Sequence, residues 1–174
     1  FLHFKDTGND IYNFLRTAFK YGSDINYMSG EEIVMKLQKL QTAVKRELHS
    51  YLEVTRFEEV YEDFFLARIE PRHNIIAELS THFQNRMPSL NWIIIDTSRS
   101  LALVHPMNKD CYLQILSKDE LESFTKLNDI NKTYSKLWKV FFNNVAIKER
   151  ANPRLQRQHC PLRKRKYMTE FMEG

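Results

Sequence analysis

The spacing of apolar residues changes from a helical period to a strand period and back along this chain, which restricts the folds open to it. The first helical pattern consists of Ile11, Phe14, Leu15, Ala18 and Phe19. Gly22 is expected to end this helix. A second helix is predicted to begin at Ser29 and Glu32, which have the S-x-x-E spacing of a capping box, and its apolar stripe runs to Leu48.

From Tyr51 onward the apolar residues alternate instead. The stretches "YLEVTRFEEV" and "FFLARIEP" predict two strands around a turn at Glu62-Asp63, because β-branched and aromatic residues at period two are typical of strands. A third helix is predicted in "HNIIAELSTHFQNRM", before Pro88. A second hairpin follows in "NWIIID" and "SLALVHP", and "CYLQIL" is a candidate fifth strand. Ser117 and Glu120 repeat the capping-box spacing.

The helical period returns most strongly over residues 132–150, whose apolar positions make one wide face. Pro153 fits the first turn of a further short helix, and Pro161 is expected to end it. The whole pattern predicts a single α+β domain with about five antiparallel strands in hairpins, flanking helices and a C-terminal helical basic segment. We expect residues 1–151 to form the core and residues 152–174, the basic segment, to pack on it or extend from it.

The excess positive charge of the chain lies near its end. The formal net charge is +4. Residues 148–174 contain eight Lys and Arg and three Glu, a net charge of +5, so residues 1–147 carry a net charge of −1. Uneven charge of this kind indicates a surface for an anionic partner.

Several protein classes lack their signature in this sequence. The four glycines are scattered and form neither a GxGxxG nor a Walker loop, and HExxH and GxSxG are absent too. Cys111 and Cys160 form no CxxC pair and no ligand-spaced set with histidine. The longest apolar run ends after four residues at Asp96, far short of the ~20 that span a bilayer. We therefore expect a cytoplasmic protein with no cofactor, no metal and no membrane partner.

The basic segment carries the residue types that bind nucleic-acid backbones. Arg and Lys make counterion-releasing contacts with phosphates, and neutral amides help fix the register of a protein on the strand. The predicted nucleic-acid-binding residues are Arg154, Gln156, Arg157, Gln158, Arg163, Lys164, Arg165 and Lys166. The alternatives are a solvated charge run, or a surface that pairs with an acidic patch of the protein such as Glu58-Glu59 with Glu62-Asp63.

A second group of polar residues lies near the ends of predicted elements. If the sheet gathers them at one edge, His73 or His82 could act as acid or base, and Arg86 and Arg99 could hold a phosphate. Asp96, which flanks the second turn together with Arg99, completes the set. These five residues are the candidate catalytic set. The alternative is that they form surface ion pairs and hydrogen-bonded element ends.

Three stretches resemble a bacterial family of unknown function whose members are described as DNA metabolism or DNA repair proteins. They are "ELHSYLEVTRFEE", "ARIEPRHNIIAELSTHFQNRMPSLNWIIIDTSRSLALV" and "LWKVFFNNVAIKERANPRLQRQHCPLRKRKYMTEF". The likeness covers Ile11 to Phe171, and "NPRLQRQ" is its most specific part. Members of that family accompany a radical-SAM protein, and some are fused to a uracil-DNA glycosylase of the UdgX type. The resemblance therefore implies a DNA-processing context.

Three hypotheses follow for the function. The first is a nucleic-acid-binding accessory factor for DNA repair or DNA metabolism, with DNA or another nucleic acid, a radical-SAM protein or a uracil-DNA glycosylase as partners. The second is a hydrolase or lyase that acts on a damaged base or a phosphodiester. The third is a protein-interaction module whose basic segment docks an acidic partner.

Overall fold

The computed structural model describes residues 7–28, 30–126, 154, 157–158 and 160–171. Contacts divide the chain into two compact units. The first comprises Phe1–Ser50 with Pro71–Ile75, and the second comprises Tyr51–Glu70 with Ile76–Gly174. The helix predicted over residues 132–150, the turn of helix at Pro153 and Ser29 of the first capping box lie outside the described residues.

The first unit contains the first predicted helix and most of the second. α1 spans Gly8–Tyr21 and leads into a 3-10 turn over Gly22–Tyr27. Gly22 has a φ of 61°, in the left-handed region that glycine adopts at little cost, and its N–H donates to the carbonyl of Ala18. Lys36, near the start of the second helix, donates to the Asp10 carboxylate of α1 over 2.6 Å.

The second helix, α2, spans Glu32–Val54 and is longer than the sequence predicts. The expectation of a strand from Tyr51 was wrong for its first residues, because β1 begins only at Phe57. Tyr51 lies three residues after Leu48 and is 3% exposed, so it continues the apolar stripe of the helix. That helical period outweighs the strand propensity of "YLEV". Arg56 consequently precedes the first strand.

The second unit is built on a five-stranded sheet whose strands lie in chain order. The strands are β1 Phe57–Tyr61, β2 Phe64–Ile69, β3 Asn91–Asp96, β4 Leu101–His105 and β5 Tyr112–Ile115. β1–β2, β3–β4 and β4–β5 are antiparallel pairs. The α+β class predicted from the sequence is confirmed.

One strand pair departs from the antiparallel arrangement that we expected. β2 and β3 are parallel, with Ile69 opposite Asp96. Between them lie a 3-10 turn over Ala77–Leu79 and the helix α3, Ser80–Arg86. A helical connection returns the chain to the edge where it started, so the next strand points the same way. Alternation of apolar residues predicts strands but carries no information on their direction.

Apolar side chains pack on both faces of this sheet. On one face the ring of Trp92 stacks on His105, with centroids 4.8 Å apart and planes at 10°, and Phe83 of α3 meets Trp92 edge-on at 6.2 Å. On the other face Leu121 and Phe124 of the helix α4, Lys118–Lys126, pack on a buried cluster. That cluster consists of Val60, Leu66, Ile93, Ile95, Ala102 and Leu116.

The second predicted capping box begins α4. The Glu120 carboxylate accepts the N–H of Ser117 over 2.8 Å, and the Ser117 hydroxyl accepts the N–H of Glu120 over 3.2 Å. The two bonds form the capping box, and the one that the Ser117 N–H donates to the carboxylate lowers the pKa of Glu120. In the part of the chain that the structure describes, no helix is both long enough and apolar enough to cross a membrane.

The central strand should determine the stability of the second unit. Ile94 in β3 is 0% exposed, whereas Ile115 in β5 is 80% exposed. We expect Ile94→Ala to lower the free energy of unfolding by about 2–5 kcal/mol, because it leaves a cavity in a packed core. The control Ile115→Ala should change it by less than about 0.5 kcal/mol. Urea unfolding measures both, and equal losses would contradict this description of the core.

Candidate functional site

The carboxyl ends of β2 and β3 lie at the same edge of the sheet, because these two strands are parallel. Thr97, the residue after β3, donates its N–H to the carbonyl of Ile69 over 3.1 Å. Its hydroxyl donates to the same oxygen over 3.3 Å. In sheets that contain parallel strands, ligands commonly bind beyond the carboxyl ends of those strands. The edge formed by the carboxyl ends of β2 and β3 is therefore a candidate functional site.

Residues 160–171, which we call the docked segment, pack against this edge. A single turn of helix, α5, spans Leu162–Arg165. After it, the Tyr167 hydroxyl lies 3.1 Å from the Thr97 hydroxyl, and Lys166 Nζ donates to Glu70 over 2.7 Å. Met168 is 5% exposed. This part of the basic segment is thus a folded element of the second unit.

Two arginines hold the docked segment in place. Arg56 donates to the carboxylate of Glu170 over 3.1 Å, and the Glu170 side chain is only 3% exposed. Arg165 donates from Nε to the carbonyl of Cys160 over 2.9 Å, and its guanidinium lies 4.5 Å from the centroid of the Phe171 ring. Arg165 therefore stabilises the conformation of the segment itself.

A small cleft lies between the docked segment and the end of β2. Its lining residues are Tyr51, Val54, Thr55, Arg68, Ile69, Glu70, Arg163, Lys164, Tyr167 and Met168. The cavity measures about 10 Å³, which is room for about one water molecule. A site of this size can admit an oxygen atom of a ligand, but it cannot enclose a base or a sugar.

Arg68 is the unusual residue of the cleft. It lies in β2 and is 8% exposed, although charged side chains are rarely buried without a partner. Its Nη2 donates to the carbonyl of Phe124 over 2.7 Å. Its Nε atom is buried and has no hydrogen-bond partner among the described residues. Burial lowers the pKa of Arg68, and the nearby carboxylate of Glu58 acts in the opposite direction.

Positive charge predominates around the cleft. Arg68, Arg163 and Lys164 line it, against the single carboxylate of Glu70. Lys164 Nζ lies 5.1 Å from the centroid of the Tyr51 ring. Lys166 bonds to Glu70, and hydrogen bonds to Glu70 and Tyr167 raise the pKa of Lys166. The cleft therefore favours an anion over a neutral or cationic ligand.

The predicted nucleic-acid-binding residues fall into three groups in the structure. Arg163 and Lys164 line the cleft. Arg165 and Lys166 make the contacts within the docked segment and to Glu70 that are described above. The remaining described members of the set, Arg154, Arg157 and Gln158, are exposed, and Gln156 lies outside the described residues.

Two of the candidate catalytic residues lie side by side. Asp96 ends β3, is 0% exposed and accepts a hydrogen bond from Arg99 Nη1 over 2.8 Å. It also accepts the N–H of Ser98 over 3.0 Å. Burial raises the pKa of Asp96, while the bond to Arg99 acts against that increase. The pair stabilises the β3–β4 turn, as expected for hydrogen-bonded element ends.

His82 and Arg86 lie elsewhere in the second unit. Both are exposed on α3, and the His82 ring contacts Phe83 edge-on at 5.0 Å. Phe83 meets Trp92 near the amino end of β3, so this part of α3 lies toward the opposite end of the strand from Asp96. At about 3.3 Å per residue, the span from Trp92 to Asp96 is about 13 Å.

His73 belongs to the first unit. It is 5% exposed, and its Nε2 lies 3.9 Å from an oxygen of Glu47. The Glu47 carboxylate also accepts the backbone N–H groups of Arg72 and His73 over 3.0 and 2.8 Å. Within this unit the carboxylate fixes the turn after Pro71, and His73 is part of that arrangement.

Sequence reasoning missed Arg68. The signal was a basic residue inside the apolar strand "FFLARI", where alternation alone suggests a solvated position. The side chain is buried instead, and it donates to the carbonyl of Phe124, which is 56 residues away in sequence. Among the residues that the structure describes, no group of three or more His, Cys, Asp or Glu is placed to hold a metal ion.

The fold and the cleft define the class: an α+β protein with a cationic cleft at the carboxyl ends of a parallel strand pair. The chain belongs to the DUF4130 family, a domain of unknown function, which matches residues 5–170. No curated protein matches it, and no solved structure does. The resemblance to a family of unknown function is thus confirmed over nearly the whole chain, whereas the DNA-repair context stays a prediction.

Breaking the Arg56 contact should release the docked segment. We expect Arg56→Met to cost about 1–3 kcal/mol, because the buried Glu170 carboxylate loses a charged donor. Trypsin should then cut faster after residues 163–166, as followed by mass spectrometry. The control Lys36→Met removes an ion pair in which the lysine side chain is 54% exposed, and should cost less than about 1 kcal/mol. Unchanged cleavage in Arg56→Met would contradict the role of this contact.

Proposed function

We propose that this protein binds nucleic acid through its basic segment and acts as an accessory factor in DNA metabolism. The observation that carries the proposal is the cleft, where the buried Arg68 lies beside Arg163 and Lys164 of the docked segment. Burying a guanidinium is costly unless a partner compensates for the lost hydration. A phosphate oxygen is a suitable partner, because Arg and Lys bind phosphate through charge-assisted hydrogen bonds.

The basic residues have different roles in this proposal. Arg163 and Lys164 contact phosphate at the cleft, and the exposed Arg154 and Arg157 add contacts along the nucleic-acid backbone. Gln158 supplies a neutral group that positions the backbone. Arg165 and Lys166 act by holding the docked segment through their hydrogen bonds to Cys160 and Glu70.

The expected partners come from the sequence resemblance. It supports a DNA substrate and a radical-SAM protein or a UdgX-type uracil-DNA glycosylase as the protein with which this one acts. If instead the basic segment docks an acidic protein, co-purification of that protein should survive nuclease treatment. A complex that disappears after nuclease treatment supports nucleic acid as the bridging partner.

The hydrolase or lyase alternative depends on His73 or His82 as acid or base. Turnover of a damaged-base or phosphodiester substrate by the wild type, lost in His73→Ala or His82→Ala, would support it. The described residues favour binding over catalysis. His82 lies on an exposed helix surface, and Asp96 and Arg99 bond to each other.

Removing the two cations of the cleft should weaken nucleic-acid binding and reduce its salt dependence. Each lost phosphate contact lowers the slope of log K against log salt by about 0.9 for duplex DNA and about 0.7 for single strands. Because Arg163 and Lys164 contact the same phosphate at the cleft in this proposal, the variant Arg163→Ala/Lys164→Ala should lower the magnitude of the slope by about 0.9 or 0.7, respectively. Fluorescence anisotropy over a salt titration, with duplex DNA, single-stranded DNA and matched RNA, measures this change.

The matched control is Lys39→Ala/Lys45→Ala, which removes the same charge from two exposed positions of α2. It should leave the slope close to the wild-type value. Equal loss in both double variants would indicate a general effect of net charge, and the proposal would then be wrong about the site. No binding by the wild type at low salt would contradict the proposal itself.

A further inference from the structure

We propose that the cleft at Arg68 binds the terminal phosphate monoester of a nucleic-acid strand. This inference rests on the proposed function and narrows it, from contacts along a backbone to recognition of a strand end. It is carried by the unpartnered donor of Arg68, the size of the cleft and the charge of its lining.

A buried hydrogen-bond donor of Arg68 supports a bound anion. Arg68 is more than nine-tenths buried, its Nη2 is occupied by the Phe124 carbonyl, and its Nε has no partner among the described residues. Native structures leave few buried donors unsatisfied, and each one calls for an explanation such as a bound ligand. Arg68 also lines the cleft. In this proposal a ligand oxygen that enters the cleft accepts the hydrogen bond from Nε after a small shift of the side chain, because this atom is covered by the protein.

The size of the cleft selects the phosphate rather than the base. A cavity of about 10 Å³ holds about one water-sized group. One phosphate oxygen fits such a space, and the other oxygens would stay at the mouth beside Arg163 and Lys164. Recognition would therefore be independent of sequence, because no base can enter.

The charge of the lining favours a monoester over a diester. Three cations and one carboxylate line the cleft, which gives a net charge of +2 at neutral pH. A terminal phosphate monoester carries about −1.5 to −2 at pH 7, whereas each internal phosphodiester carries one negative charge. A terminal phosphate monoester is also linked to one nucleoside only, so the nucleic-acid strand leaves the cleft on one side and not on two.

The test compares the full-length chain on oligonucleotides of one sequence that carry a 5′-phosphate, a 3′-phosphate or hydroxyl ends only. We expect a terminal phosphate to tighten binding by about tenfold, the value of one charged hydrogen bond. The two phosphorylated arms show which end is recognised. Inorganic phosphate should remove this advantage and leave the affinity for the hydroxyl-ended strand unchanged.

Single substitutions test whether the preference for a terminal phosphate arises at the cleft. Arg68→Gln should abolish the preference for a terminal phosphate while salt-dependent binding through the exposed arginines remains. Its melting temperature must be measured, since a buried side chain is changed. Lys164→Gln, at the half-buried rim, should weaken the preference without threatening the fold. Lys109→Gln, which removes one positive charge from an exposed loop of the same unit, is the control and should keep the preference.

The outcomes separate this inference from the proposed function. Equal affinity for all three strands, with a steep salt slope, overturns the inference and leaves nucleic-acid binding intact. A preference that survives in both Arg68→Gln and Lys164→Gln overturns the assignment to this cleft. Binding of inorganic phosphate by calorimetry, without binding of any oligonucleotide, supports an oxyanion site at Arg68 and contradicts the proposed function.

Discussion

The parallel pairing of β2 and β3 is the constraint on which the rest of the second unit depends. In an antiparallel pair the carboxyl ends of two six-residue strands would lie at opposite edges, about 17 Å apart. The parallel register instead brings Ile69 and Thr97 within a hydrogen bond of each other. Tyr167 can then reach Thr97 while its neighbour Lys166 reaches Glu70. The cleft exists because one edge of the sheet presents both strand ends to the same short segment.

Under the proposed function, some cations of this region hold the docked segment and others bind the ligand. Arg56 and Lys166 have carboxylate partners that hold the docked segment, so their charges are largely compensated. Arg68 is different, because it is buried and donates to a neutral carbonyl, and the nearby Glu58 carboxylate offsets only part of the effect of burial on its pKa. Electrostatic interactions are strongest where water is excluded. In our proposal the buried Arg68 therefore interacts more strongly with an anionic ligand than an exposed lysine would.

Much of the fold was predictable from local patterns, and the candidate site was not. Period and capping chemistry predicted α1, the Ser117–Glu120 capping box and β5, because these signals lie within a few residues of one another. The direction of β3 depends on packing between elements, which apolar spacing does not encode. The extension of α2 to Val54 was missed because Tyr51 fits both the helical stripe of α2 and the strand-like stretch that begins with it. The basic residues were recognised from composition. Arg68 was missed because its hydrogen-bond partner lies in α4, 56 residues away in sequence, and no local feature of "FFLARI" indicates that contact.

The contacts that complete the cleft join residues far apart in sequence. Lys166 and Glu70 are separated by 96 positions, and Arg56 and Glu170 by 114. Closing loops of this length costs more conformational entropy than closing the short turns between neighbouring strands. The contacts that complete the cleft therefore carry a larger entropy cost than those that pair the antiparallel strands.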